Sequence, residues 1–460
     1  MCKKVMFFTL LFVLMGFGTM SAAHADWDSD SKSTNYSSVE SGGTVGSKIN
    51  VAISSSLSEE DPAVAYCGGK YLVVFERQGD IYGQLIGLDG VLDGGEIKID
   101  SNTSDSQPTS DPDVACLWPN IFEQYFIVVY NYDYWGDQTD YDVRAATLTT
   151  DGTIINTQIS DTGVASTAED EFAPSIACEV DDYYCLVLYD YGTDDIQGQR
   201  LYMDTVGIEQ GLDRVGDPFD PDPGDPINQT TDVTWSMSRG EYMAIWQQWY
   251  PDTTDYWKDR FAYIYEDDQS PGSQIKGGPY WLTSETGFGS GYEYDQVGPK
   301  VAFNNLSGNY MVTFKISYGG WSIGAGVLLY GSSIVGGPYN LDGDSHWVTQ
   351  TAVAFSGGPT GSGYADDEFL AVNIETDFSS DYLQGAYFHG DHFTDDDFPI
   401  ESVTGEEVFL RNPDVAGNPN DGAFLVVWEQ EDAEGDRNIY AMRMGNYYNF
   451  TDIFIPLVMK

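Results

Sequence analysis

The chain has 460 residues, of which 20 are Lys or Arg and 73 are Asp or Glu, so its formal net charge is −53 at pH 7. A field of that sign repels nucleic acids and anionic membrane surfaces, and the composition therefore excludes both as partners. With so many acidic residues, neighbouring carboxylates arise by chance, and spacing alone nominates no acid/base pair.

Residues 1–25 predict a secretory signal peptide. Two lysines precede an apolar stretch from Val5 to about Phe17, and a small-x-small cleavage site ends at Ala25. No later segment approaches the roughly 18 apolar residues that a membrane helix requires. Cleavage leaves 18 basic against 73 acidic residues, a net charge of 18 − 73 = −55. The mature protein is expected to be a secreted monomer, with a periplasmic or cell-surface location as the alternative.

A repeat follows the predicted flexible segment 26–47 and fills a single predicted domain, 48–460. Its first part, P-x-V-A, begins near residues 62, 112, 174, 231, 299, 351 and 413. Its second part is an apolar run, from “YLVVFE” at Tyr71 to “FLVVWE” at Phe424, with an aromatic at the fifth position except at Asn373. Its third part places a small residue at one aligned site in every copy: Gly83, Ala145, Gly198, Ala262, Ala325, Gly385 and Ala441.

Short β-branched and aromatic runs between Gly, Asp, Asn and Pro predict four antiparallel strands for each repeat. One such sheet cannot bury both faces alone, so the seven repeats predict a seven-bladed β-propeller in which each blade covers the next. The small residues are expected to receive an aromatic side chain from the neighbouring sheet.

The ends of the chain are expected to close the ring. The segment from Ile49, “INVAISSS”, aligns with the outer strand of the first repeat, so it is predicted to complete the last blade and to bury Ile49, Val51 and Ile53. The tail from Phe450 also reads as a strand, which Pro456 confines to a sheet edge. An eighth blade is the alternative if tail and N-terminal strand belong to separate blades.

The set of motifs P-x-V-A, L-V-V-W-E and D-I-Y-G-Q resembles the repeat of many exported, largely uncharacterised bacterial β-propeller proteins. It is also loosely similar to a strand of the periplasmic TolB-type propellers. The resemblance covers about Ile49 to Met444 and implies a fold and an exported context. It implies no catalytic residue, since propellers host lectins, enzymes and scaffolds alike.

Four cysteines remain after cleavage, an even number that permits two disulfides in an exported protein. Cys178 and Cys185 flank a predicted hairpin turn and are expected to pair across it, which leaves Cys67 and Cys116 as the second pair. The alternative is that all four are small buried thiols.

The loops between second and third strands are predicted to share one face of the ring with the connections between blades. These loops are rich in aromatic and acidic residues, and large aromatics that no strand pattern buries are candidate platforms for sugar rings or hot spots for a protein partner. The alternative is that they cover the channel and pack on one another. The candidate ligand-binding residues are Tyr134, Trp135, Trp249, Tyr250, Tyr256, Trp257, Tyr318 and Trp321.

A metal site is a further hypothesis. The segment “DPFDPDPGDP” offers carboxylates of the kind that Ca²⁺ takes, namely Asp217, Asp220, Asp222 and Asp225. No complete calcium-loop motif is present, and no cofactor other than calcium is predicted.

Catalytic motifs are missing from the sequence: it has no G-x-S-x-G, H-E-x-x-H, P-loop or C-x-x-C pattern. The leading hypothesis is therefore an exported, non-enzymatic binding module for a carbohydrate or an extracellular protein. The alternatives are a polysaccharide-degrading enzyme that uses paired carboxylates, and a structural component of a surface or matrix.

Overall fold

The computed structural model describes residues 46–54, 57–100, 107–120, 122–134, 140–156, 163–204, 211–223, 227–250, 256–266, 274–282, 295–318, 321–341, 347–357, 367–377, 379–389, 392–393, 397–405, 408–433 and 435–445. The predicted signal peptide, Trp135, Asp225 and the C-terminal strand lie outside these residues. No helix in the described part of the chain is long and apolar enough to span a bilayer.

The described residues form 29 strands. The first ones are β1 (Ile49–Ala52), β2 (Glu59–Cys67), β3 (Lys70–Arg77), β4 (Asp80–Gly87), β5 (Leu92–Lys98), β6 (Thr109–Asn120), β7 (Glu123–Asp133), β8 (Tyr141–Thr149), β9 (Ile154–Asn156), β10 (Glu171–Cys178), β11 (Tyr184–Tyr191), β12 (Asp195–Asp204), β13 (Gly211–Phe219) and β14 (Asn228–Ser236). They are followed by β15 (Glu241–Tyr250), β16 (Tyr256–Tyr265), β17 (Ile275–Trp281), β18 (Asp295–Phe303), β19 (Tyr310–Tyr318), β20 (Trp321–Tyr330), β21 (Ser333–Asn340), β22 (Trp347–Gly357), β23 (Asp367–Thr376), β24 (Ser380–His389), β25 (His392–Phe393), β26 (Phe398–Thr404), β27 (Phe409–Gly417), β28 (Phe424–Glu431) and β29 (Arg437–Met444).

These strands build the predicted seven-bladed β-propeller. The sheets are β2-β3-β4-β5, β6-β7-β8-β9, β10-β11-β12-β13, β14-β15-β16-β17, β18-β19-β20-β21, β22-β23-β24 with β25 and β26, and β27-β28-β29-β1, which are here blades 1 to 7. All strand pairs within the blades are antiparallel, and the first strand of each blade is innermost. Inner strands of consecutive blades contact each other from β2 around to β27, and β27 contacts β2 again, so the ring is closed around a central channel.

The core is divided among the blade interfaces. Seven clusters of buried apolar side chains occur, and each joins two consecutive blades, including the pair of blade 7 and blade 1. The aromatic residues at the fifth position of the second strands all lie in these interfaces; in blade 6 Asn373 is buried there instead and donates to Glu375 Oε1 at 2.5 Å. Each sheet therefore obtains its hydrophobic burial from its neighbours, as the repeat pattern predicts.

The N-terminal strand completes blade 7, which confirms the predicted closure. β1 pairs with β29 in antiparallel register, with Ile49 opposite Ala441. Val51 is buried, but Ile53 is 50% exposed. The prediction for Ile53 was wrong because the pairing shifts register between Asn50 and Ala52. Such a shift breaks the alternation of side chains along a strand.

The small residues of the third strands are buried in all seven blades, but at the glycine copies the predicted reason was wrong. A Cβ added at Gly83 would meet Ile99 Cδ1 at 2.9 Å, and one at Gly198 would meet Phe219 Cζ at 2.7 Å. Ile99 follows the outer strand of blade 1 and Phe219 ends that of blade 3. At the glycine copies the small position thus makes room for an apolar residue at the outer strand of the same blade, not for an aromatic from the neighbouring sheet.

Both expected disulfides are present. Cys67 and Cys116 link the inner strands of blades 1 and 2, and Cys178 and Cys185 are directly opposed in the β10–β11 hairpin of blade 3. Two disulfides are typical of proteins that fold in an oxidising compartment.

Candidate ligand-binding site

Each inner strand enters the channel through a β-bulge. The strand pairing shifts register just before or at the P-x-V-A segment in all seven blades. In six of them the bulge residue adopts a left-handed backbone, with φ between 47° and 64°: Asp61, Asp111, Ala173, Thr230, Gly298 and Asn412. Five of these residues carry a side chain, so the surrounding structure must stabilise a conformation that they rarely adopt.

Polar side chains of the preceding blade stabilise three of these bulges. They lie at the sixth position of the second strand, directly after the buried aromatic. They accept hydrogen bonds from backbone N–H groups of the bulges, which lie where the strand pairing is interrupted. The bonds run from Asp61 N to Glu429 Oε2 at 3.3 Å, from Thr230 N to Asp190 Oδ2 at 3.2 Å and from Gly298 N to Gln247 Oε1 at 3.3 Å. A buried N–H group requires such a partner.

A second set of bonds joins the inner strands deeper in the channel. The variable residue of P-x-V-A is Asp in blades 2, 4 and 7, and each carboxylate accepts a hydrogen bond from the next blade. The bonds run from Ile176 N to Asp113 Oδ2 at 2.8 Å, from Val301 N to Asp232 Oδ2 at 2.6 Å and from Val64 N to Asp414 Oδ2 at 2.7 Å. The three aspartates are therefore fixed in place on the channel wall.

The channel contains a cavity of about 600 Å³ between the bulges and these aspartates. Its size lies within the range of small-molecule sites, about 300–1,000 Å³. Five acids and two lysines line it together with prolines, threonines and amides: Asp61, Asp111, Asp113, Asp232, Asp414, Lys300 and Lys315. A polar cavity with fixed charged groups is suited to a hydrophilic ligand.

Lys300 occupies the variable position of blade 5 and lies among the three wall aspartates. Its Nζ is 3.9 Å from Asp232 Oδ1, and Asp232, followed by Asp113 and Asp414, holds the pKa of Lys300 above its usual value against the effect of burial. The Lys300 side chain keeps 43% of its surface accessible because it faces the open cavity. The attraction is therefore screened by channel water.

The wall aspartates resist ionisation. Burial raises the pKa of Asp113 to about 7, with Lys300 acting in the opposite direction. Burial likewise raises the pKa of Asp414 to about 6 and that of Asp232 above its usual value. A single lysine thus does not compensate the cost of placing three carboxylates around one channel.

A second acidic group surrounds the mouth, the end of the channel at which the bulges lie. Burial, then the charges of Asp111 and Glu429, raises the pKa of Asp61 to about 7. Burial, then the charges of Asp61 and Glu60, raises the pKa of Glu76 to about 8. These side chains come from blades 1, 2 and 7, so blade closure brings them together.

The hairpins between second and third strands also lie at the mouth. In blade 4 this hairpin places Trp249 directly opposite Trp257, with ring centroids 5.2 Å apart in an edge-to-face arrangement. Both rings are half-buried. Trp257 N donates to Asp295 Oδ1 at 2.9 Å, and Gln247, two residues before Trp249, binds the bulge of blade 5. The hairpin that carries the tryptophan pair is thus anchored to blade 5, whose bulge residue Gly298 lines the cavity, although neither tryptophan is itself a lining residue.

The other predicted aromatics fall into two groups. Tyr250 is opposite Tyr256 in the same hairpin, and Tyr318 is opposite Trp321 in the equivalent hairpin of the adjacent blade 5. These four residues and the two tryptophans therefore occupy paired strand positions on two neighbouring blades. Tyr134 is 43% exposed on blade 2, and blade 3 separates it from them. Trp135 lies outside the described residues.

The aspartates of the predicted calcium segment have different environments. Arg260 donates to Asp222 Oδ2 at 2.8 Å and to Gln248 Oε1 at 2.8 Å, so a guanidinium already occupies the position next to Asp222. Asp220 accepts from Asp222 N at 2.6 Å and Asp217 is exposed, whereas Asp225 is outside the described residues. In the described part of the chain no three metal-ligating side chains are grouped to hold one ion. Calcium binding stays a prediction.

The bulge acceptors and the wall aspartates were missed as functional residues from sequence. Their signal was present, because polar residues follow the aromatic in six of the seven second strands and Asp recurs inside P-x-V-A.

No protein-family model and no curated protein matches the chain. Solved structures are similar to it, among them a protein of unknown function from Dyadobacter fermentans with 8% identity over 89% of this chain and 100% of that one, at a TM-score of 0.49. The β-propeller domain of the Trilobed protease from Pyrococcus furiosus has 11% identity over 86% and 99% at a TM-score of 0.43, and the Hadza microbial sialidase Hz136 has 12% over 81% and 76% at 0.42. Likeness at this level concerns the fold alone.

Proposed function

We propose that the protein is an exported binding module that recognises a carbohydrate at the channel mouth, with the blade 4 and blade 5 hairpins as its aromatic platform. The observation that carries this proposal is the half-buried Trp249–Trp257 pair, in a hairpin whose Gln247 binds Gly298 in the lining of a polar cavity. Aromatic rings contact the apolar faces of sugars, while carboxylates and amides bind their hydroxyl groups, so both kinds of contact are available at one place.

The residues that line the cavity also indicate a hydrophilic ligand. The lining combines charged groups with Gln350 and Asn412: Gln350 Oε1 accepts from the backbone N of Asn412 at 2.6 Å, and Gln350 Nε2 donates to Asn412 Oδ1 at 2.7 Å. A preorganised polar lining loses little conformational entropy when a ligand binds. An extracellular protein is the alternative partner, and it would contact the same aromatic hairpins as hot spots.

The test is a glycan array followed by calorimetry on the mature chain and two variants. Trp257→Ala removes one ring of the pair and should weaken binding of the selected glycan at least about tenfold, the scale of one well-packed aromatic contact. Phe122→Ala removes an aromatic that is 89% exposed in the β6–β7 hairpin, at the opposite end of the channel, and should leave the affinity unchanged.

Tight glycan binding that is indifferent to Trp257→Ala would place the ligand elsewhere. An array without any bound glycan would favour the protein partner or the structural role in a surface or matrix.

A polysaccharide-degrading activity is the second candidate function. The raised pKa values of Asp61 and Glu76 favour it, because a carboxyl that keeps its proton near neutral pH can serve as a general acid beside an ionised carboxylate. Incubation with a panel of polysaccharides, scored for new reducing ends or unsaturated products, tests this activity. Glu76→Gln should abolish any product, and products that persist in this variant would exclude Glu76 as the acid.

A further inference from the structure

The tryptophan pair of blade 4 is the outermost part of a ladder of side chains that face blade 5. Alternate residues of a strand lie on the same side of a sheet, and the innermost pair of this ladder belongs to the apolar cluster that blades 4 and 5 share. Asp259 and Gln247 therefore form the layer between the tryptophan rings and the apolar junction of the two blades. The three directly opposed pairs of the ladder are Trp249 with Trp257, Gln247 with Asp259, and Ile245 with Phe261.

Asp259 is fully buried in this layer, and its carboxyl group makes no hydrogen bond. Its exposed fraction is 0%, and neither Oδ1 nor Oδ2 has a partner among the described residues. The opposed Gln247 directs its Oε1 to Gly298 N at 3.3 Å. Gln296 Oε1 of blade 5 accepts from the backbone N of Asp259 at 3.0 Å. Blade 5 thus binds the main chain of Asp259 and leaves its carboxyl group unsatisfied.

The charged residues around Asp259 do not compensate a carboxylate there. Lys258 is its neighbour in β16, but successive residues of a strand point to opposite sides of the sheet. Asp295, which approaches from β18 of blade 5, carries a charge of the same sign. Burial therefore raises the pKa of Asp259 well above its usual value, although the charge of Lys258 acts in the opposite direction. The other charged residues of β15 to β18 have partners of their own: Glu241 with Lys276, Arg260 with Asp222, and Lys300 with Asp232.

We propose that the Asp259 carboxyl group is a pH-sensitive switch that controls the position of the tryptophan pair. The protonated group fits the dry layer, whereas an ionised carboxylate without hydrogen bonds is far less stable inside a protein than in water. Because Asp259 is fully buried, water reaches it only if the blade 4 hairpin separates from blade 5. The closed hairpin therefore binds this proton more tightly than an open one, so closure is favoured at low pH and loses stabilisation as the pH rises.

The consequence for ligand binding rests on the proposed function, because the same two rings would contact the sugar. Trp257 N is held by Asp295 Oδ1 at 2.9 Å, on the residue next to Gln296, so opening at Asp259 would release both anchors to blade 5 together. Loss of the proton should therefore weaken the platform without unfolding the ring.

Hydrogen exchange tests the switch without any ligand. The N–H groups of Trp257 and Asp259 donate to Asp295 and Gln296, so their protection reports whether the hairpin is closed on blade 5. Exchange is measured by mass spectrometry on hairpin peptides of the mature chain at pH 6 and pH 9, with correction for the intrinsic effect of pH on exchange. Protection should fall at least about tenfold, the effect of one pH unit on an equilibrium that involves one proton.

Two substitutions show whether Asp259 causes this fall. Asp259→Asn keeps the shape of the side chain but cannot ionise, so its protection should change by less than about twofold between the same pH values. Asp142→Asn is the matched control, because Asp142 is buried at the equivalent place of blade 2, three residues before Ala145. Burial raises the pKa of Asp142 to about 6, but blade 2 does not carry the tryptophan pair, so this variant should keep the fall of the unmodified chain.

Three results of the exchange experiment would overturn the inference. They are equal protection at both pH values in the unmodified chain, a fall that persists in Asp259→Asn, and a fall that Asp142→Asn also abolishes. If Asp259→Asn does not fold, Asp259→Leu replaces it, because leucine is also uncharged and of similar size.

Calorimetry with the glycan selected on the array relates the switch to binding. The affinity should fall at least about tenfold between pH 6 and pH 9, and Asp259→Asn should remove most of that fall. If protection depends on Asp259 but no glycan binds, the switch stands and the proposed carbohydrate function fails. If Trp257→Ala weakens glycan binding but neither protection nor affinity depends on Asp259, the function stands and the switch fails.

Discussion

Asp414 Oδ2 accepts a hydrogen bond from Val64 N at 2.7 Å, although 350 positions separate the two residues in the chain. The bond joins the inner strand of the last blade to that of the first. Asn412 and Asp61, the bulge residues of the same two blades, are also joined, by a bond of 2.6 Å from Asn412 Nδ2 to Asp61 Oδ1. The acidic residues of the repeat therefore help to close the ring as well as to line its channel.

Replacing Asp414 should reveal this structural role. Asp414→Ala leaves Val64 N without an acceptor in a buried strand, so the free energy of unfolding should fall by about 1–3 kcal/mol. Asp414→Asn keeps an oxygen at the same place and should recover most of that loss. Urea denaturation followed by tryptophan fluorescence measures both, with Asp182→Ala as a surface control. Equal losses for Ala and Asn would show that the charge matters, not the hydrogen bond.

The sequence predicted the fold because its repeat carries the burial pattern. Strands such as “YLVVFE” at Tyr71 show which positions of each repeat are apolar. Because a single sheet of this kind is not stable alone, seven copies can bury their apolar faces in only a few folds. The N-terminal strand was predictable for the same reason, since it matches the outer strand of the first repeat. The prediction that Ile53 is buried was wrong for a local reason. Ile53 is exposed because of a register shift that cannot be predicted from the sequence of one strand.

The candidate site was only partly predictable. The repeat predicts a hairpin between the second and third strands of blade 4. Trp249 and Trp257 lie on its two strands, so their proximity could be predicted from the sequence. The wall aspartates and Lys300 could not be grouped from sequence, because they come from blades 2, 4, 5 and 7 and meet only when the ring closes. Chain closure, not local pattern, creates the charged cavity.

The small residue of the third strand should be sensitive to a single added methyl group. In blade 6 a Cβ at Gly385 would lie 2.7 Å from Phe398 Cζ and 3.1 Å from Ile400 Cδ1. The Phe398 ring stacks on Tyr387 with centroids 5.1 Å apart, so it cannot move away freely. Gly385→Ala should therefore lower the free energy of unfolding by about 1–3 kcal/mol.

Gly95 provides the matched control for this overpacking prediction. It lies in the outer strand β5, and nothing is within 4 Å of a Cβ added there. Gly95→Ala should change the free energy of unfolding by less than about 0.5 kcal/mol, as surface substitutions usually do. Combining Gly385→Ala with Phe398→Leu should recover part of the lost stability, and no recovery would mean that the added methyl group acts elsewhere.

The two disulfides should differ in their contribution to stability. Cys67–Cys116 spans 49 residues and links two blades, whereas Cys178–Cys185 spans 7 within one hairpin. In the chain-entropy account, closing the longer loop contributes about 4 kcal/mol and the shorter about 2.5 kcal/mol. Denaturation of Cys67→Ser/Cys116→Ser should therefore show a larger loss than that of Cys178→Ser/Cys185→Ser. A larger loss for the hairpin pair would contradict this ranking.

Stability should rise as the pH falls from 8 towards 5. Burial raises the pKa of Asp113 to about 7 and of Asp414 to about 6, and burial with neighbouring acids raises that of Asp61 to about 7 and of Glu76 to about 8. The unfolded chain holds these protons only below about pH 4, so the folded protein binds them more tightly. The resulting stabilisation is complete below about pH 4 and is lost as the pH rises through 6 to 8.

Carboxyls with lowered pKa values set the lower end of the pH range in which the folded protein is most stable. Hydrogen bonding to Arg77 lowers the pKa of Glu96, and hydrogen bonding to Tyr183 and Asn120 lowers that of Glu123, so these groups lose stabilisation only below about pH 4. Thermal midpoints should therefore be highest near pH 4. Glu76→Gln removes one titrating group and should reduce the difference between pH 5 and pH 8 by about 1–2 kcal/mol, after allowing for solvent screening at the mouth. An unchanged pH profile in this variant would show that Glu76 ionises normally in the folded protein.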